Sequence, residues 1–286
     1  MTSLPSHMPA PPPPPPTQAP PPPSGGGKPV LGFVLDLLLA AVVLLAVSVL
    51  CGLVWGVVRG FQISLELRAQ GIPADRLATA VASRLGQPGA LAQLLIALVS
   101  TLSAALLLYF LRRPASVAER RASWQAARVP ATWGWVLLVA GAVFVGSTVL
   151  SNLGAQLGIK PVPTNLPLMR EAMAQTPLFL VVFAVLIAPA YEELLFRRVL
   201  FGRLWDAGRP RLGMALSGVA FALVHELPGT TGNGVAETLQ LWLVYGSMGA
   251  AFAWLYKRTG TLWAPIAAHG LNNAVAVAAL YWFGTT

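Results

Sequence analysis

"VFAVLIAPAYEELLFRRVLFGRL", residues 182–204, sets Glu192 beside Glu193 and Arg197 beside Arg198 inside an otherwise apolar run. As a helix, such a run is long enough to cross a hydrocarbon layer of roughly 30 Å. An ionisable group at that depth costs roughly 2.5–3.5 kcal/mol on insertion scales, which makes it a functional candidate by default. The chain has only ten acidic residues, so two adjacent ones here need a reason in packing or in chemistry.

The rest of the chain fixes the fold class around that run. Hydrophobic residues make up 56% and charged residues 10%, against about 25% charged in soluble domains, and mean hydropathy is +0.67. These values predict an all-α, polytopic transmembrane helical bundle. Seven apolar segments are long enough to span, at about 30–58, 90–111, 132–153, 177–203, 211–227, 236–257 and 261–284. Six to eight crossings fit this pattern, because the fifth segment is short and the first is long enough to be tilted or broken. Residues 1–29 are dominated by proline and predict a disordered tail of polyproline II character, with no partner legible in it. Residues 30–174 read as N-terminal membrane helices with an amphipathic linker, 59–89, lying on the membrane surface. Residues 175–284 hold the motifs.

The net charge of +9 does not signal nucleic acid, because the basic residues sit in short loops rather than on one face with interleaved aromatics. They also choose an orientation. Thirteen fall on the side of the N-terminal tail, counting Arg197 and Arg198 at the end of the fourth segment, and six fall on the other. The rule that cytoplasmic loops carry the excess predicts a cytoplasmic N-terminus, and the Ala-, Gly-, Pro- and Arg-rich composition points to a bacterial inner membrane. Cys51, the single cysteine, excludes an intramolecular disulfide and a cysteine-based zinc cluster.

Within 175–284 the ionisable residues form three short motifs. In the first, Glu193 and Arg197 are four apart with the acid on the N-terminal side, the favourable order for a helical ion pair. Glu192 points about 100° away around the helix, which leaves it free of that pair and unable to share a partner with Glu193 easily. Pro189, just before, cannot donate to the helix ladder and should loosen it. The second motif ends in His225, one turn after Phe221 on the same face. The third places His269 and Asn273 four apart on one face. Only three histidines exist, and His7 lies in the tail. Helix rise puts Glu192, His225 and His269 at similar depths, so they can meet in one pocket. A carboxylate with two imidazoles suits activation of water for attack on a carbonyl, with His269 and Asn273 as donors to the oxyanion. The same three side chains could instead hold a divalent metal such as zinc.

These stretches, EELLFR at 192–197, FALVH at 221–225 and HGLNN at 269–273, resemble in order the EExxxR, FxxxH and HxxxN/D motifs of the CPBP family. That family comprises the CAAX prenyl protease and bacteriocin-processing intramembrane proteases, also called the abortive-infection family. The resemblance covers roughly residues 175–280. It implies a water-activating Glu192 with His225 beside it, structural partners Glu193 and Arg197, and an oxyanion pair of His269 and Asn273. The expected function is an intramembrane endopeptidase acting on a peptide or membrane protein from within the lipid bilayer, through a cavity open to the cytoplasm. Two other readings compete: a transporter or channel using Glu192, His225 and His269 as a proton or ion relay, and a catalytically silent scaffold or immunity protein.

Overall fold

The computed structural model describes residues 28–284. Residues 1–27 of the expected disordered tail, His7 among them, lie outside these, and Pro29, placed in that tail, instead opens the first helix. The described residues form ten helices and no strand: α1 (Pro29–Ala69), α2 (Ala74–Arg84), α3 (Ala90–Arg112), α4 (Val117–Ala127), α5 (Pro130–Gln156), α6 (Leu166–Gln175), α7 (Pro177–Asp206), α8 (Pro210–His225), α9 (Val235–Thr259) and α10 (Trp263–Phe283). Proline opens α1, α5, α7 and α8. Its missing N–H costs nothing at a first helical position, where no intrahelical acceptor exists. Gly260, at φ 71°, ends α9 in the left-handed conformation that glycine adopts without steric penalty.

The fold is all-α, as expected, but among the described residues four helices are long and apolar enough to cross a membrane: α1, α3, α5 and α7. The remaining three expected spans are helices that fall short of that standard. Helix α8 has 16 residues, about 24 Å at 1.5 Å per residue, and α9 and α10 carry polar residues along their length. Helix α1 is unbroken over 41 residues. The linker is not one surface segment either: residues 59–69 continue α1, Gly71 turns the chain at φ 80°, and α2 packs back on α1. The buried Ile63 and Leu67 lie in that extension of α1.

Helix α7 is the centre of the bundle, touching α1, α3, α6, α8, α9 and α10. Its buried Leu195, Phe196, Val199, Leu200 and Leu204 join the largest apolar core. A second core joins α5, α9 and α10 through Val136, Phe252, Leu255, Ala264 and Ala268. Helices α8 and α9 approach so closely that a Cβ added to Gly249 would lie 2.9 Å from the Gly218 Cα. At the arginine-rich end, the fully buried Asp36 of α1 binds Arg112 Nε at 2.7 Å and Arg203 Nε at 2.6 Å, fastening α1 to α3 and α7.

Candidate active site

The site begins with a defect in α7. Ahead of Pro189 the hydrogen-bond register widens by one residue, so that the Ala188 N–H reaches Phe183 O. In that register Ala184 O would look to residue 189, and proline has no N–H to give. The Asn273 side chain of α10 fills the gap, donating from Nδ2 to Ala184 O at 2.8 Å. Three residues earlier Gly270 permits the approach, because a Cβ there would lie 2.5 Å from Val185 O. The loosening expected from Pro189 is thus a widened turn, and it is clamped by the residue expected to serve an oxyanion.

Past the widened turn, the adjacent glutamates face different partners. Glu193 Oε2 lies 2.8 Å from Arg197 Nε, both side chains fully buried. The N–H is not aligned with the carboxylate, so the contact is an ion pair rather than a hydrogen bond, and Arg197 Nη1 and Nη2 have no hydrogen-bond partner among the described residues. Instead the guanidinium carbon sits over three aromatic rings, 4.8 Å from the centre of Phe221, 5.5 Å from Phe252 and 5.7 Å from Phe196. Such faces attract a cation, and more strongly where water is excluded. Arg197, expected near the end of the fourth span, is fully buried instead, and α7 runs on past it to Asp206.

Glu193 Oε1 also binds His269 Nδ1 at 2.9 Å. His269 Nε2, on the other side of the ring, lies 3.8 Å from Glu192 Oε2, and His225 Nε2 lies 3.6 Å from the same oxygen. The two glutamates do share a partner, contrary to the 100° argument, because an imidazole presents its nitrogens in different directions. His225 Nδ1 is 2.8 Å from Phe221 O. Because both Nδ1 atoms face acceptors, the partners assign their protons to Nδ1, which turns both Nε2 lone pairs toward Glu192. Phe221 stacks on His225 with ring centres 4.1 Å apart, and Phe252 stacks on His269 at 5.3 Å. Access is uneven: the side chains of Glu192 and His225 are 16% and 21% exposed, those of His269 and Glu193 3% and 0%.

Six of the seven residues singled out in the sequence are joined by these contacts, though not at equal depth along their helices, while Asn273 is bonded to Ala184 O instead. Glu192 and His225 lie about 21–22 Å from the arginine-rich ends of α7 and α8, and His269 about 9 Å from the start of α10, at 1.5 Å per residue. Phe252, Phe196 and Tyr245, whose ring centre lies 5.1 Å from His225, were not singled out. Phe252 and Tyr245 carry no local spacing that marks them, since each gains its role from a helix other than its own, and Phe196 reads in the sequence as one more apolar residue of α7. Asn272 donates to Ala140 O and Ala268 O and ties α10 to α5.

No three His, Cys, Asp or Glu side chains among the described residues are grouped to hold a metal ion. Two ligands about 2.0–2.1 Å from a tetrahedral zinc stand about 3.3 Å apart. The 3.6 and 3.8 Å separations at Glu192 are wider than that, so the expected zinc set of Glu192, His225 and His269 does not fit as placed.

The apolar helical bundle is that of an integral membrane protein, and inside it one carboxylate converges on two imidazoles. Residues 174–275 match the family model described as Type II CAAX prenyl endopeptidase Rce1-like. The chain is 31% identical over 120 residues to "Putative membrane peptidase YdiL" of Bacillus subtilis (strain 168), covering 42% of this chain and 44% of that protein. It is 29% identical over 150 residues to "Membrane-embedded CAAX protease MroQ" of Staphylococcus aureus (strain USA300), covering 50% and 56%. The chain spans about half the length of the curated relatives it matches. No solved structure matches it.

Proposed function

We propose that the chain is an intramembrane endopeptidase that hydrolyses a peptide bond of a peptide or membrane-protein substrate, with Glu192 as general base. One observation carries the proposal: Glu192 Oε2 is buried, lacks a hydrogen-bond partner among the described residues, and faces the lone-pair nitrogens of two histidines. Three acceptors gathered like this are stable only around a shared proton or a donating water. Glu192 Oε2 takes a proton from that water as the water oxygen bonds to the carbonyl carbon. The carbon–nitrogen bond then breaks, and Glu192 returns the proton to the departing amine. His225 shares the proton with Glu192, and His269, braced by Glu193, donates from Nε2 to the oxyanion as an imidazolium, its second proton drawn from solvent before the step and kept through it. Asn273 serves the oxyanion only through the amide hydrogen not given to Ala184 O. The N-terminus is cytoplasmic and the membrane a bacterial inner membrane in this reading, from the arginine distribution and the bacterial relatives.

The purified chain in liposomes, assayed against a library of quenched-fluorescent peptides, tests this. Glu192→Gln should lower cleavage roughly 100- to 10,000-fold, the range for a general base, with the unfolding midpoint little changed. Equal cleavage by the variant sinks the assignment, and a proton flux that needs Glu192 without cleavage favours a relay. Loss of cleavage on chelation, restored by zinc, would assign the Glu192, His225 and His269 set to a metal.

A further inference from the structure

Beside the three motifs lies a buried carboxylate that the reaction does not use. Glu226, directly after His225, is 1% exposed. Its Oε2 accepts from the Thr164 N–H at 3.0 Å and the Thr164 hydroxyl at 2.6 Å. Its Oε1 accepts from Asn233 Nδ2 at 3.1 Å and the Thr231 hydroxyl at 3.3 Å. Its backbone is held as well: the N–H closes the last turn of α8 on Ala222 O at 2.9 Å, and the carbonyl accepts from Trp242 Nε1 at 2.9 Å. Asn233 in turn bonds both the N–H and the carbonyl of Val162, at 2.9 and 2.8 Å.

A residue that ends a helix has no need of a buried charge. A neutral side chain could serve, and a carboxylate removed from water is costly unless several donors satisfy it. Here four do, and they come from two loops far apart in sequence. The loop at 226–234 leaves α8 beside His225, while the loop at 157–165 leads through α6 into α7, the helix of Glu192. The backbone of Glu226 turns extended, at φ −139° and ψ 101°, immediately after the histidine. Whatever fixes that turn fixes the last helical residue before it, and with it the distance from His225 Nε2 to Glu192.

Resting on the endopeptidase reading, we propose that Glu226 is a positioning residue. It pins the end of α8 to the Thr164 loop, and so holds His225 Nε2 toward Glu192. Fully satisfied buried networks of this kind rigidify their surroundings.

The chain holds three histidines, so histidine-selective 15N spectra of the full chain in detergent micelles resolve each ring, with His7→Ala, His225→Ala and His269→Ala giving the assignments. In the native chain His225 should show one tautomer, protonated at Nδ1. Glu226→Ala should convert its signals to an average of both tautomers while leaving those of His269 unchanged. Glu226→Gln, which keeps one acceptor oxygen, should fall between. On a cleaved peptide, kcat for Glu226→Ala should drop roughly 10- to 100-fold, the scale of a small misplacement of a reacting group, with KM nearly constant. A role confined to holding loops would lower the unfolding midpoint and leave the His225 tautomer and kcat as they were, and that result overturns the proposal. So does an equal change at His269, which would mean general loosening. Should Glu226→Ala fail to fold, Thr164→Val removes only the 2.6 Å hydroxyl bond and must move His225 in the same direction. If the native chain cleaves nothing, the endopeptidase reading fails alone, and the spectra still decide the role of Glu226.

Discussion

Asp36 and Glu193 are both fully buried carboxylates that face arginines from within apolar helices, yet their surroundings differ in kind. Asp36 lies near the start of α1 and receives Arg112 and Arg203, whose side chains are 39% and 22% exposed. Each of its oxygens accepts a well-formed bond, and the arginine heads reach toward solvent. Glu193 lies midway along α7 with an arginine that is 0% exposed. Neither terminal nitrogen of that arginine finds an acceptor among the described residues, and rings stand in for water. The first arrangement is a joint between helices. The second leaves polar groups unsatisfied beside Glu192, which is tolerable only where the charge orients something else, here His269.

Variants that remove one partner from each cluster test the difference. Arg197→Met should have the largest effect, about 3–5 kcal/mol of lost stability, because it strands the Glu193 charge in a dry interior. Chemical unfolding in detergent measures it, and the double variant with Glu193→Gln should recover part of the loss. Gly270→Ala comes next at roughly 1–3 kcal/mol, as the added methyl drives α10 away from Val185 O. Activity should be lost with it, since His269 and Asn273 ride on the same helix. Asp36→Asn should cost less, about 1 kcal/mol, because its arginines can turn to water, and cleavage should persist. If Asp36→Asn abolished cleavage at unchanged stability, the division between joint and site would be wrong.

The smallest effect is electrostatic and lies outside the bundle core. Glu119, in the first turn of α4, bonds Arg198 Nη1 at 2.8 Å and the Ser116 N–H at 2.8 Å. Burial alone would push its carboxyl up, but the Arg198 and Ser116 bonds and the Arg198 charge outweigh it and hold it down to about 2. The folded value lies below the ordinary 4.5, so the stabilisation is complete above that pH and is lost as pH falls toward 2. Thermal midpoints of the native chain and Glu119→Gln should therefore converge on acidification through that window, modestly, because the side chain is half exposed.

The one-dimensional pattern of this chain carried a great deal. Apolar runs of helix length announced an all-helical membrane fold because a lipid interior tolerates no unpaired backbone, and charges placed where charge is expensive marked Glu192, Glu193, Arg197, His225 and His269. Spacing alone also gave the Glu193–Arg197 pair, since four residues make one helical turn. What sequence order could not supply were relations between helices. That His269 stands between both glutamates depends on α10 meeting α7 at Gly270. That Asn273 caps Ala184 depends on the register shift that Pro189 imposes. The Phe252 roof over Arg197 and the Thr164–Glu226 joint each bring together residues dozens of positions apart. Periodicity reports which face of a helix is apolar; which neighbour meets that face is settled by packing, and in this chain packing turned one charged stretch into a site.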